Sequence, residues 1–105
     1  MNCEYSNKIA MKCGINSALL ASFLWDETKD NGQKHHNRVW AACSQKKLMA
    51  LYPFMKEKAV RGALHRLIDA EILFMSEYNE SRFDRTASYA FTTYGKTLME
   101  GMIYE

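Results

Sequence analysis

The 105 residues predict a single α+β domain, mainly α, and three observations carry that expectation. The composition, 48% hydrophobic and 25% charged, is that of an ordinary globular chain. Apolar residues recur at helical spacing in several stretches, with short runs of strand-forming residues between and after them. No repeat, low-complexity tract or Pro/Gly/Ser linker divides the chain, so one unit is expected over 1–105.

Leu19, Leu20, Phe23 and Leu24 follow Asn16-Ser17 at i, i+1, i+4 and i+5, which makes one apolar stripe on a first helix over about 16–28. Lys29-Asp30-Asn31-Gly32 closes it with turn chemistry, and a polar loop follows. Val39-Trp40-Ala41-Ala42-Cys43 reads as a strand. Ser44 then caps a short helix containing Leu48, Met49 and Leu51, and Pro53 stops it. Lys56 to Ala70 is the clearest helix, because Val60, Leu64, Leu67 and Ile68 stand at i, i+4, i+7 and i+8. Its other face carries Lys58, Arg61, Gly62 and His65. Ile72 to Met75 and Thr86 to Thr93 read as the strands of a hairpin over about 72–93, with a polar turn at Tyr78 to Asp84 and with Tyr89 and Phe91 on one face. Leu98, Met99, Met102 and Ile103 mark a closing helix over about 94–104.

This order is that of a winged helix-turn-helix: a three-helix core, a helix pair over about 44–70, a two- or three-stranded β-wing and a short C-terminal helix. Charge points the same way. The net charge is +2, but residues 34–66 hold eight basic and one acidic residue while residues 67–105 hold three basic and seven acidic. A middle third at +7 implies an acidic partner, with double-stranded DNA the first candidate and a solvated lysine-rich surface the alternative. Lys46, Lys47, Lys56, Lys58, Arg66 and Arg82 are the candidate phosphate and groove contacts. Arg61 and His65 are the candidates to read base edges, Arg61 for guanine.

Several segments carry a family likeness: Ile15-Asn16-Ser17-Ala18, Val39-Trp40, Tyr52-Pro53-Phe54, Lys58-Ala59-Val60-Arg61, Leu64 to Leu73, and Tyr78-Asn79 followed by Phe83-Asp84-Arg85-Thr86. Over about 15–93 the chain resembles the N-terminal winged-helix module of replication-initiation (replisome organiser) proteins of phages and integrative elements in Gram-positive bacteria. The resemblance implies DNA binding in a mobile-element setting, in replication or transcriptional control, with 56–66 as recognition helix. The chain stops soon after the wing, where such proteins usually continue into a further domain, so a complete initiator is not expected. Glu71 stands where that family often has glycine, so a left-handed helix cap is not expected. Glu80 and Asp84 balance Arg82 and Arg85, which places the weight of contact on the helix and not on the wing.

Other chemistry is poorly served. A domain this size buries roughly 60–70% of its unfolded surface, leaving little room for a substrate cleft, and no enzyme is expected. Cys43 with His35 or His36 could be drawn as nucleophile and base, but no third orienting group accompanies them. His35, His36, Cys3, Cys13 and Cys43 lack zinc-site spacing, so neither metal nor cofactor is expected. Three widely spaced cysteines suit reduced thiols in the cytoplasm. The apolar run Ala18 to Trp25 is too short to span a membrane, and the N-terminus lacks a signal peptide's basic start. Trp40, Phe54, Tyr89 and Phe91 read as core and sheet packing. The closing helix either packs on the first helix or forms a homodimer. A second class of function stays open, a winged helix that binds a host protein, such as an inhibitor of a CRISPR-type defence nuclease.

Overall fold

The computed structural model describes residues 5–35, 37–76 and 87–101. Among them are five helices and four strands, an α+β arrangement with helix predominant. In chain order these are α1 (Asn7–Cys13), α2 (Ile15–Asp30), β1 (Gln33–His35), β2 (Arg38–Ala42), α3 (Gln45–Leu51), α4 (Glu57–Asp69), β3 (Leu73–Ser76), β4 (Ser88–Phe91) and α5 (Thr93–Gly101). The strands form one antiparallel sheet in the order β1-β2-β4-β3. The expected hairpin strands are thus joined by β2 and, beyond it, by β1, a four-stranded sheet in place of a two- or three-stranded wing. The predicted turn at 78–84, with Arg82, lies outside the described residues, as do Cys3, His36, Met102 and Ile103.

Helix α1 was not expected. The Ser6 hydroxyl caps it by accepting from Ile9 N–H at 3.3 Å, but Ile9 and Cys13 are its only fully buried residues. Two buried positions in seven residues leave no periodicity to read. Gly14, at φ 97°, ends α1 and starts α2. α2 then runs two residues further at its C-terminal end than the stripe implied, and its buried side differs. Ser17, Ala18, Leu20, Ala21 and Leu24 are buried, while Leu19 and Phe23 are only partly so. Of these, Ser17 faces α4, where its hydroxyl donates to the Ala63 carbonyl.

Ser44 caps α3 as predicted, accepting from Lys47 N–H at 3.1 Å. Residues 52–56 connect α3 to α4, and here Phe54 corrects an expectation: it is 67% exposed and not in the core. The inward position of the turn is taken by Met55, which is buried, with Met55 N–H donating to the Tyr52 carbonyl at 2.9 Å. Phe54 touches only the edge of this arrangement, its ring T-shaped to Tyr52 at 6.2 Å.

α4 buries Val60, Ala63, Leu64 and Leu67, with Ile68 half-buried. Its C-terminus corrects the second expectation, since Glu71 is left-handed at φ 62°. Ile72 N–H donates to the Leu67 carbonyl and Glu71 N–H to the Ile68 carbonyl, both at 3.0 Å, and Leu67 and Ile72 are both fully buried. That pair of bonds with its apolar contact is a Schellman motif. Burying Ile72 and starting β3 there outweighs the roughly 1–2 kcal/mol that a side chain costs in this conformation.

Tyr89 and Phe91 point to the core with Leu73, and Phe91 meets Trp25 of α2 edge-on at 5.1 Å. Trp40 and Ala90, on the opposite face, are buried as well. In α5, Gly95 lies so near the Ile72 carbonyl that a Cβ would stand 2.3 Å from its oxygen. Packing therefore requires glycine at this position of α5, although glycine lowers helix propensity. Leu98 and Met99 are buried in the chain's own core, which leaves neither free to form a dimer face.

Candidate nucleic-acid interface

Burial of Val60, Ala63, Leu64 and Leu67 fixes how α4 is rotated, and at about 100° per residue Lys58, Arg61 and His65 fall on the opposite side. All three are exposed. Arg61, its side chain 53% exposed, has Nη2 at 3.9 Å from Glu57 Oε1 one turn earlier. One nitrogen of the guanidinium is engaged in this contact, and a guanidinium has five N–H donors in all. Gly62 borders this face, and outside its own stretch of helix no atom of the described residues stands within 4 Å of where its Cβ would be. Nothing among the described residues requires a glycine there, although it weakens the helix by about 1 kcal/mol relative to alanine.

Lys56 occupies the N-cap of α4 and makes no side-chain cap bond, so the first-turn N–H groups have no serine, threonine or carboxylate cap from that position. Exposed Lys56 and Lys58 flank this positive helix end. The face is not uniformly basic, since Glu57 stands at one end and exposed Asp69 at the other.

The remaining candidates lie elsewhere or undescribed. Lys46 is exposed on α3. Lys47 turns toward α2, its ammonium 5.8 Å from the ring centre of Phe23. Arg66 sits on the α1 flank of α4, where its carbonyl accepts from Cys13 Sγ at 3.8 Å. Burial pushes the Cys13 thiol up, and the positive charges of Lys12 and Arg66 oppose that shift. The structure thus brings Lys58, Arg61 and His65 to one face of α4, with Lys56 at the N-cap of that helix, Arg66 on another side of it and Lys47 on the neighbouring α3.

Other cations emerge only from tertiary contacts. The Arg38 guanidinium lies 4.2 Å over Phe74, and Lys12 donates to the Tyr94 hydroxyl at 3.2 Å with its ammonium 5.0 Å from the same ring. These partners are 36 and 82 residues apart, and no local pattern announces them.

Cys43 is buried, and burial is the main cause that pushes its thiol up to about 11, with Lys47 opposing and Glu27 adding. A thiol held protonated is the reverse of an activated nucleophile. Among the described residues no group of three or more His, Cys, Asp or Glu could hold a metal ion, and no helix is long and apolar enough to cross a membrane. Comparison with protein-family models, with curated proteins and with solved structures gives no match to this chain.

Proposed function

We infer that the chain is a winged helix-turn-helix module that binds double-stranded DNA through the outward face of α4. The observation that carries this reading is the exposed set Lys58, Arg61 and His65 on one face of α4, bordered by Gly62, whose Cβ position meets none of the described residues outside its own turn. The chain order α2, β2, α3, α4, β3, β4, with β2 beside the β3–β4 pair, supports the fold assignment. The likeness of residues 15–93 to replisome-organiser modules supports a setting in phage or mobile-element replication or transcriptional control.

In mechanism, the N-terminal end of α4 with Lys56 and Lys58 meets phosphates, and Arg61 and His65 reach base edges in the major groove. Titration of the protein into a labelled random duplex at two salt concentrations tests this by fluorescence anisotropy. Binding should weaken steeply with salt, by about 0.9 in log affinity per log salt for each phosphate contact. Arg61→Ala should lower affinity with its melting temperature unchanged. Absence of binding at low salt would reject the reading.

A further inference from the structure

The connection from α3 to α4 buries Met55 and leaves Phe54 67% exposed, so packing of the core does not account for a phenyl ring at that position. The ring nevertheless has an anchored neighbour. It lies T-shaped to Tyr52 at 6.2 Å between centroids, and the Tyr52 hydroxyl donates to the Leu19 carbonyl of α2 at 3.3 Å. Pro53, between the two aromatic residues, fixes a backbone angle of the same turn. A single exposed apolar side chain is ordinary on a protein surface, but an aromatic one held in place loses little further entropy when a partner covers it.

The setting of the ring narrows the kind of partner. Residues 45–66, which contain this connection, hold six basic residues and one acidic residue, Glu57. Lys46, Lys47, Lys56, Lys58, Arg61 and Arg66 are all exposed. An apolar ring among so many cations suits a polyanion that also carries apolar groups, which describes nucleic acid.

Phe54 precedes Lys56, the N-cap of α4, by two residues. The inference rests on the reading of α4 as recognition helix, in which the N-terminal end of that helix is the part nearest the base edges. A phenyl ring neither donates nor accepts a hydrogen bond of the kind that reads those edges. In a duplex the base faces are stacked on one another, and the apolar group that the major groove displays is the C5 methyl of thymine. We propose that Phe54 packs against a thymine methyl group at the border of the DNA site and gives the protein a preference for thymine there.

The probe is a labelled duplex of alternating adenine and thymine, compared with the same duplex made with deoxyuridine in place of thymidine. That exchange removes the methyl groups and keeps every phosphate and every base-pair hydrogen bond. In anisotropy titrations at low salt the full chain should bind the thymidine duplex about two- to fourfold more tightly, the worth of one buried methyl group. Phe54→Ala should bind both duplexes equally, at the level of the wild type on the deoxyuridine duplex, with its thermal melt unchanged. Phe54→Leu, which keeps an apolar side chain, should retain part of the preference. Equal binding of both duplexes by the wild type, or a preference that survives Phe54→Ala, would overturn the proposal and leave the DNA-binding reading standing. Tighter binding of single-stranded oligothymidine than of either duplex would also overturn it, since the ring would then serve unpaired base faces. Binding to none of these probes would reject the DNA-binding reading and the proposal together.

Discussion

The hydroxyl of Ser17 in α2 donates to the carbonyl of Ala63 in α4 at 2.9 Å, and both residues are fully buried. The carbonyl has a second lone pair for its own helix, so the bond adds to the α4 ladder without breaking it. It joins the two helices at two small residues, Ser17 on α2 and Ala63 on α4. That contact sets the rotation that turns Lys58, Arg61 and His65 outward. Ser17→Ala should lower stability by about 1 kcal/mol, which a thermal melt would register as roughly 4–8 °C. An unchanged melting temperature would mean the hydroxyl contributes nothing net.

Gly62 separates stability from binding. Gly62→Ala should raise stability by about 0.5–1 kcal/mol, because nothing crowds the new methyl and helix propensity improves. On the DNA-binding reading the same methyl holds the helix off its partner and lowers duplex affinity. A parallel denaturant and anisotropy measurement checks both; a gain in stability with no loss of affinity would remove Gly62 from the interface.

Glu57 moderates the charge of the same face. Its pair with Arg61 is exposed at 3.9 Å, so Glu57→Gln should change stability by no more than a few tenths of a kcal/mol. Duplex affinity should rise, since Arg61 loses a competing carboxylate and the face loses a negative charge. The gain should shrink with added salt, as anisotropy at two ionic strengths would reveal.

Glu71 sits in a conformation that favours glycine. Glu71→Gly should therefore stabilise the fold by about 0.5–1 kcal/mol, relief of left-handed strain exceeding the extra entropy of the unfolded glycine. Glu71→Ala keeps the strain and should not stabilise. Urea midpoints of the two variants give the comparison.

Alkaline pH should destabilise the fold through Cys43. Its thiol rises from 9.0 to about 11 on burial, so between those values the unfolded chain gives up a proton that the folded chain retains. The contribution is complete below pH 9 and falls as pH climbs toward 11. Tyr89, pushed up from 10.0 to about 12 chiefly by burial, extends the decline. Urea unfolding across this range should show a shallower decline for Cys43→Ala than for the wild type.

Long periodic segments were legible without coordinates. The stripe of Val60, Leu64 and Leu67, the Ser44 cap with Pro53 beyond it, and the strands around Trp40, Phe74 and Tyr89 are local patterns, and each element formed within a residue or two of its expected place. The outward set Lys58, Arg61 and His65 followed from the same arithmetic, since a helix with one apolar stripe has one opposite face. Short elements were not legible, because α1 and β1 have too few buried residues to carry a period.

By itself the sequence determined the mainly helical α+β class, the boundaries of α3 and α4, and which side of α4 is polar, because all of these are set by neighbours within a few residues. Tertiary structure alone decided the rest. It seated Met55 and left Phe54 outside, turned Glu71 left-handed so that Ile72 could be buried, and stacked Arg38 on Phe74. It also set β2 beside β4, with β3 at one end of the sheet among the described residues. Those outcomes depend on contacts between distant segments, whose energies outweigh local preference and leave no local pattern.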